Sequence, residues 1–99
     1  MSLDTDTKKH YRTLGHSLKP VVTVASKGLT EGVLAELQRA LDDHELIKVK
    51  LAMEDREERK QVVDDLCTQT GAELVQTIGK MVLIFRAARK PKLSTSNIR

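Results

Sequence analysis

Residues 20–41 read Pro-Val-Val-Thr-Val-Ala-Ser-Lys-Gly-Leu-Thr-Glu-Gly-Val-Leu-Ala-Glu-Leu-Gln-Arg-Ala-Leu, and this stretch decides the fold class. Pro20 restricts Lys19 to extended backbone, and the β-branched run Val21, Val22, Thr23, Val24 predicts a buried strand. Thr30 is a helix N-cap, after which Val33, Leu34, Leu37, Ala40 and Leu41 recur at helical spacing. Only the short segment Ala25, Ser26, Lys27, Gly28 and Leu29 separates strand from cap. Strand, short loop and helix therefore follow one another directly, which places the stretch in a domain of mixed α and β structure.

The rest of the chain extends that unit in both directions. Upstream, Asp4 or Asp6 suits a helix start, Tyr11, Leu14 and Leu18 follow at intervals of three and four, and Gly15 reads as a stop. Downstream, Asp42 to Glu45 end the second helix. Leu46 to Leu51 then alternates, with Ile47, Val49 and Leu51 on a buried side and Lys48 and Lys50 on a wet one. Asp55 and Glu58 have the form of a capping box for a third helix whose inner face is Val62, Val63, Leu66 and Cys67, ending before Gly71. Glu73 to Ile78 and Met81 to Arg86 close the fold as a hairpin, with Gly79 and Lys80 fitting a type II′ turn. The predicted order is α-β-α-β-α-β-β, an α/β (α+β) domain over residues 1–88. Residues 89–99, including Arg89, Lys90, Pro91 and Lys92, read as a basic, solvated tail.

Composition narrows the function classes. The 99 residues suffice for one core, and aromatics are only 2%, against a platform of stacked rings for single-stranded nucleic acid. A single cysteine, Cys67, removes any disulfide or CxxC pair and suits a reducing compartment, so a cytoplasmic location is expected. No apolar run approaches the roughly 18 residues of a membrane span, and no secretory leader is visible. His10, His16 and His44 lie on different predicted elements from one another and from Cys67, so no nucleophile and base pair up and no metal-ligand spacing appears. Neither enzymatic activity nor a cofactor nor a metal is expected.

Charge is segregated. Residues 1–30 carry +3, residues 31–78 carry −6 and residues 79–99 carry +6, with no acid after Glu73. Basic ends that met on one face would attract a polyanion. Within this pattern the Ala25 to Gly28 loop places backbone N–H groups, a helix N-terminus and the Lys27 charge together, as anion binding needs, although small Gly-containing connections are common without ligands. Lys48 and Lys50 either adjoin Lys27 or form an ordinary solvated strand face. Lys8, Lys9, Arg12 and Lys19 in the first third, with Lys80, Arg86, Arg89 and Lys90 near the end, read either as phosphate contacts or as solubilising charge.

Four ordered blocks carry a resemblance to a known family. They are residues 14–22 (Leu14-Gly15-His16-Ser17-Leu18-Lys19-Pro20-Val21-Val22), 28–34 (Gly28-Leu29-Thr30-Glu31-Gly32-Val33-Leu34), 45–50 and 76–80. Together, over roughly residues 7–90, they resemble the YhbY-type single CRM domain, an RNA-binding module of bacterial ribosome assembly. The resemblance implies a four-stranded mixed sheet similar to the C-terminal domain of translation initiation factor 3. It also implies association with ribosomal RNA and precursor large (50S) subunits, by a protein expected to be monomeric. The family's GxxG loop maps onto Ala25, Ser26, Lys27 and Gly28, with Ala25 replacing the first glycine. A required positive φ there would cost about 1–2 kcal/mol, whereas a requirement for a small side chain is met, and the second reading is favoured. Phe85 replaces the family's Tyr. The resulting expectation is a non-catalytic RNA binder that uses Ala25, Ser26, Lys27, Gly28 and Thr30 as a phosphate cradle. The alternatives are an adaptor that meets a ribosomal protein or assembly factor through the acidic helix faces, and a binder of small or messenger RNA.

Overall fold

The computed structural model describes residues 3–98. The elements are α1 (Thr5–Gly15), β1 (Pro20–Val24), α2 (Glu31–His44), β2 (Leu46–Leu51), α3 (Arg56–Thr70), β3 (Glu73–Ile78) and β4 (Met81–Phe85). The strands form one sheet in the order β1-β2-β4-β3. β1 runs parallel to β2 because α2 carries the chain back across the sheet, while the other two pairings are antiparallel. The mixed four-stranded α+β fold is the expected one.

Helix ends follow local chemistry. Asp4 caps α1 by accepting from Thr7 N at 2.7 Å, which lowers the Asp4 carboxyl below its usual range, and Thr30 caps α2 by accepting from Val33 N at 3.2 Å. Gly71, at φ 74°, terminates α3 in the left-handed region. Asp55 caps α3 through the amide of Glu57 rather than that of Glu58, so the expected capping box is replaced by a bond one residue earlier. In the hairpin, Gly79 has φ 55° and Lys80 does not have a positive φ, as a type II′ turn requires.

One sheet face is sealed by α2 and α3, whose Leu37, Leu41, Val63 and Leu66 meet Val24, Ile47, Val49, Val82 and Ile84. The other face was expected to be wet. Instead α1 and the segment after it cover part of it, packing Tyr11, Leu14 and Leu18 on Leu46, Val75 and Leu83. The expectation of a buried first strand also needs correction, because β1 is an edge. Its register slips between Pro20 and Val22, which leaves Val21 outside the ladder and 47% exposed, while Val22 and Val24 remain buried.

α1 does end at Gly15, and the glycine has a further role there. A Cβ there would lie 2.5 Å from Leu83 Cδ2 and 3.0 Å from Cδ1, so the glycine lets α1 approach β4. Leu83 is itself buried and has little room to withdraw. Gly15→Ala is therefore expected to destabilise the fold by about 1–3 kcal/mol. Gly32→Ala, whose Cβ meets only Thr30 Oγ1 at 4.0 Å, should be stabilising by about 0.4–1 kcal/mol. Urea unfolding of both variants, read against the wild type, checks the contrast in sign.

The C-terminal segment also departs from expectation. Residues 92–98 lie across the end of α2 and the start of β2. Thr95 Oγ1 donates to Asp43 O at 2.8 Å, Asn97 N to His44 O at 2.8 Å, Asn97 Nδ2 to Leu46 O at 2.6 Å and Ser96 Oγ to Glu45 Oε1 at 2.9 Å. Ile98 joins the cluster beneath α1. A polar segment packs here because it satisfies the orphan carbonyls of a helix end.

Candidate nucleic-acid interface

The carbonyl of Val24 accepts from Ala52 N at 2.8 Å, which fixes where β1 hands over to the loop. Gly28 N then donates to Ala25 O at 2.9 Å, closing a turn, and Thr30 N donates to Gly28 O at 3.2 Å. Gly28 has φ 80°, which favours glycine at this position. Ala25 does not have a positive φ, so it carries none of the backbone strain that replacing a glycine would otherwise bring.

This wiring leaves amides over. Among the described residues, the N–H groups of Ser26, Lys27 and Leu29 have no acceptor, and those of Glu31 and Gly32 belong to the unsatisfied first turn of α2. Ala25, Ser26, Lys27 and Thr30 are exposed, while the Leu29 side chain packs on the core and anchors the loop. The corner is open to solvent, with Lys27 on its rim and the positive end of α2 behind it. Glu31 is the carboxylate nearest in sequence. Glu54 and Asp55, on the neighbouring loop, are engaged by Lys80 and by the α3 cap.

The structure distributes the other sequence-predicted cations unequally. Lys50 is paired with Thr23, two residues before the loop, and is exposed on the α1 side of the sheet. Lys48 is half-buried on the same face, paired with Pro20, and Lys19 is exposed just before that strand. Lys80 lies at the loop end of the sheet, where its carbonyl accepts from Leu51 N at 2.7 Å. Its ammonium meets Glu54 at 2.5 Å, and this hydrogen bond lowers the Glu54 carboxyl below its usual range. Its charge is thus partly spoken for.

Arg86 was expected among the RNA contacts and is placed elsewhere. Its guanidinium donates to Thr70 O at 2.7 Å, to Asp42 Oδ1 at 2.8 Å, to Gln38 O at 3.2 Å and to Gln38 Oε1. It ties β4 to α2 and α3. Arg89 and Lys90 are exposed, but at the opposite end of the sheet from the loop, beside the docked C-terminal segment. Ile98 and the apolar side chains of α1 pack on the same buried cluster, away from the cradle.

Two groups of chemical interest have structural employment. Burial pushes the Cys67 thiol up, with the Asp64 charge adding to the effect, so its thiolate is disfavoured. His44 Nδ1 lies 2.7 Å from Thr95 O in the docked C-terminal segment. Among the described residues no three His, Cys, Asp or Glu side chains form a metal-holding group, and no helix is long and apolar enough to cross a membrane.

The sequence reading missed Glu45. It is fully buried at the end of α2, with φ 64°, and its carboxylate accepts from Ala88 N and Ser96 Oγ, each at 2.9 Å. The available signal was a glutamate standing where a helix commonly ends in Gly or Asn.

Residues 3–86 match a family model described as the CRS1 / YhbY (CRM) domain. A Pseudomonas aeruginosa protein named a probable RNA-binding protein is 56% identical over 98 residues, spanning 99% of this chain and 94% of its own length. A Haemophilus influenzae RNA-binding protein is 44% identical over 92 residues, 93% of each chain. The solution structure of a Staphylococcus aureus protein, described as a candidate RNA binder, superposes with a TM-score of 0.80 at 29% identity, covering 93% of this chain and 96% of that one.

Proposed function

Because the chain belongs to the CRS1 / YhbY (CRM) domain family, we propose that it is a non-catalytic RNA-binding protein that holds structured ribosomal RNA by its phosphates. In this reading it associates with precursor large ribosomal subunits as a cytoplasmic monomer. The observation that carries the phosphate mechanism is the exposed corner of acceptor-free amides at Ser26, Lys27, Leu29, Glu31 and Gly32, with Lys27 beside it. A phosphate accepts from several such amides at once without any demand on base identity, so sequence preference is weak. The ribosomal target is supported by the family resemblance of the four sequence blocks.

The test pairs a charge deletion with a block. Lys27→Ala removes one cation, and Gly28→Asp adds both a carboxylate and a side chain at a φ that disfavours it. The double variant is expected to lose at least about tenfold in affinity for structured RNA and to flatten the log–log salt dependence by roughly 0.7–0.9. Fluorescence anisotropy across a salt series measures both, with circular dichroism reporting the fold. An unchanged affinity and slope in a folded variant would remove the cradle. Crosslinking in cells followed by sequencing of bound RNA tests the target, with hits expected to cluster on the large-subunit precursor. Hits on messenger or small RNA would replace that target.

A further inference from the structure

α1 covers only part of its face of the sheet. The uncovered part presents Pro20 and Thr23 from β1, Lys48 and Lys50 from β2, Met81 from β4, and Gln76 and Ile78 from β3, as the registers dictate. Ile78 is 53% exposed. Where the end of α1 reaches the sheet, the surface dips into a cleft of about 80 Å³ between Gly15, His16, Lys48, Gln76 and Met81. The one carboxylate that the described strands place on this face is Glu73, at its far end, held by Lys8 at 3.6 Å and by Leu3 N at 2.7 Å.

Two neighbouring cations flanked by aliphatic groups, with no strand carboxylate beside them, suit an unpaired nucleic-acid strand, whose anionic phosphates and apolar base faces both need partners. The face is also continuous with the cradle, since Thr23 and Lys50 are paired two residues before Ala25. We propose that this open half-face is a second RNA subsite that takes unpaired nucleotides as the strand leaves the cradle. Bases lie against Ile78, Met81 and Pro20, phosphates meet Lys50 and Lys48, and the Gln76 amide meets a base edge at the cleft. A regular duplex fits less well, because its bases are stacked inside and its phosphate–ribose exterior would leave Ile78 and Pro20 uncovered. Aliphatic rather than aromatic contacts predict modest gain per base, with little preference among bases.

The inference rests on the cradle reading, and the experiment separates the two. The full chain is titrated by anisotropy with a hairpin RNA carrying a single-stranded 3′ extension, and with the same hairpin made blunt. The wild type is expected to bind the extended RNA about tenfold more tightly, in line with the lower range for one base contact. Ile78→Ser should abolish that ratio while leaving blunt-hairpin affinity unchanged, and Lys50→Gln should reduce it. The Lys27→Ala, Gly28→Asp variant should weaken both RNAs and keep the ratio. Photocrosslinking of a 4-thiouridine in the extension should mark the peptide containing residues 76–81, which needs no folded variant. A preserved ratio in Ile78→Ser, or no crosslink to that peptide, overturns the subsite whatever the cradle does. Unchanged binding of both RNAs accompanied by loss of association with ribosomal particles would overturn it in favour of an acidic protein partner.

Discussion

Arg86→Ala should lower the unfolding free energy by about 2–4 kcal/mol while leaving the RNA affinity of the folded fraction unchanged. The guanidinium side chain is 21% exposed and satisfies the carbonyls of Thr70 and Gln38, together with the Gln38 side chain. Truncation leaves Thr70 O, at the end of α3, and the Gln38 side-chain oxygen without this donor in a partly dry site, and such an orphaned acceptor costs roughly 1–3 kcal/mol before water relieves it, whereas Gln38 O keeps its helical donor. The Asp42 contact adds little, because that carboxylate is 65% exposed and its pairing is screened. Lysine should restore only part of the loss, since one ammonium cannot reach acceptors on both α2 and the end of α3 as a planar fork does. Urea unfolding and RNA titration on the same sample decide the matter. Full stability with lost RNA binding would return Arg86 to the interface.

The second large effect is expected at Glu45. Glu45→Ala removes the acceptor for Ala88 N and Ser96 Oγ, for an expected loss of about 1–3 kcal/mol. The C-terminal segment should then detach, so that trypsin cuts after Lys92 much faster than in the wild type. Glu45→Gly loses the same carboxylate but accepts φ 64° without the steric penalty of a Cβ. It should therefore be more stable than the alanine variant by about 1 kcal/mol, yet be cleaved as readily. Equal stability of the two would show that the backbone there is not strained.

Acid should loosen the same segment. A hydrogen bond from Lys92 holds the Asp43 carboxyl below its usual range. A depressed folded-state value contributes stability that is present above the unfolded-state value and is lost as pH falls through the folded one. The docking is accordingly expected to hold at neutral pH and to weaken only below the ordinary carboxylate range, which proteolysis with an acid-tolerant enzyme would show.

Much of this protein is written locally. The alternation of Leu46 to Leu51, the caps at Asp4 and Thr30, the left-handed glycine at position 71 and the hairpin glycine at position 79 each depend on a period or a φ requirement spanning a few residues. So does the corner at Ala25 to Gly28, where strand, turn and helix start are consecutive and the surplus of amides follows from the turn itself. Its cationic neighbours were only partly legible. A charge tally records how many lysines each segment holds, whereas Lys80 is partly neutralised by Glu54, a partner 26 residues away.

Sequence alone determined the order of elements and the strand-loop-helix corner, because backbone geometry and side-chain period act between near neighbours, while the mixed sheet was legible only through the family resemblance. Tertiary structure alone decided that Gly15 admits α1 onto Leu83, that Arg86 joins helices across 48 residues, and that Glu45 receives a segment 51 residues downstream. Those outcomes depend on which surfaces remain unfilled once the helices have packed, and no spacing within the chain records that.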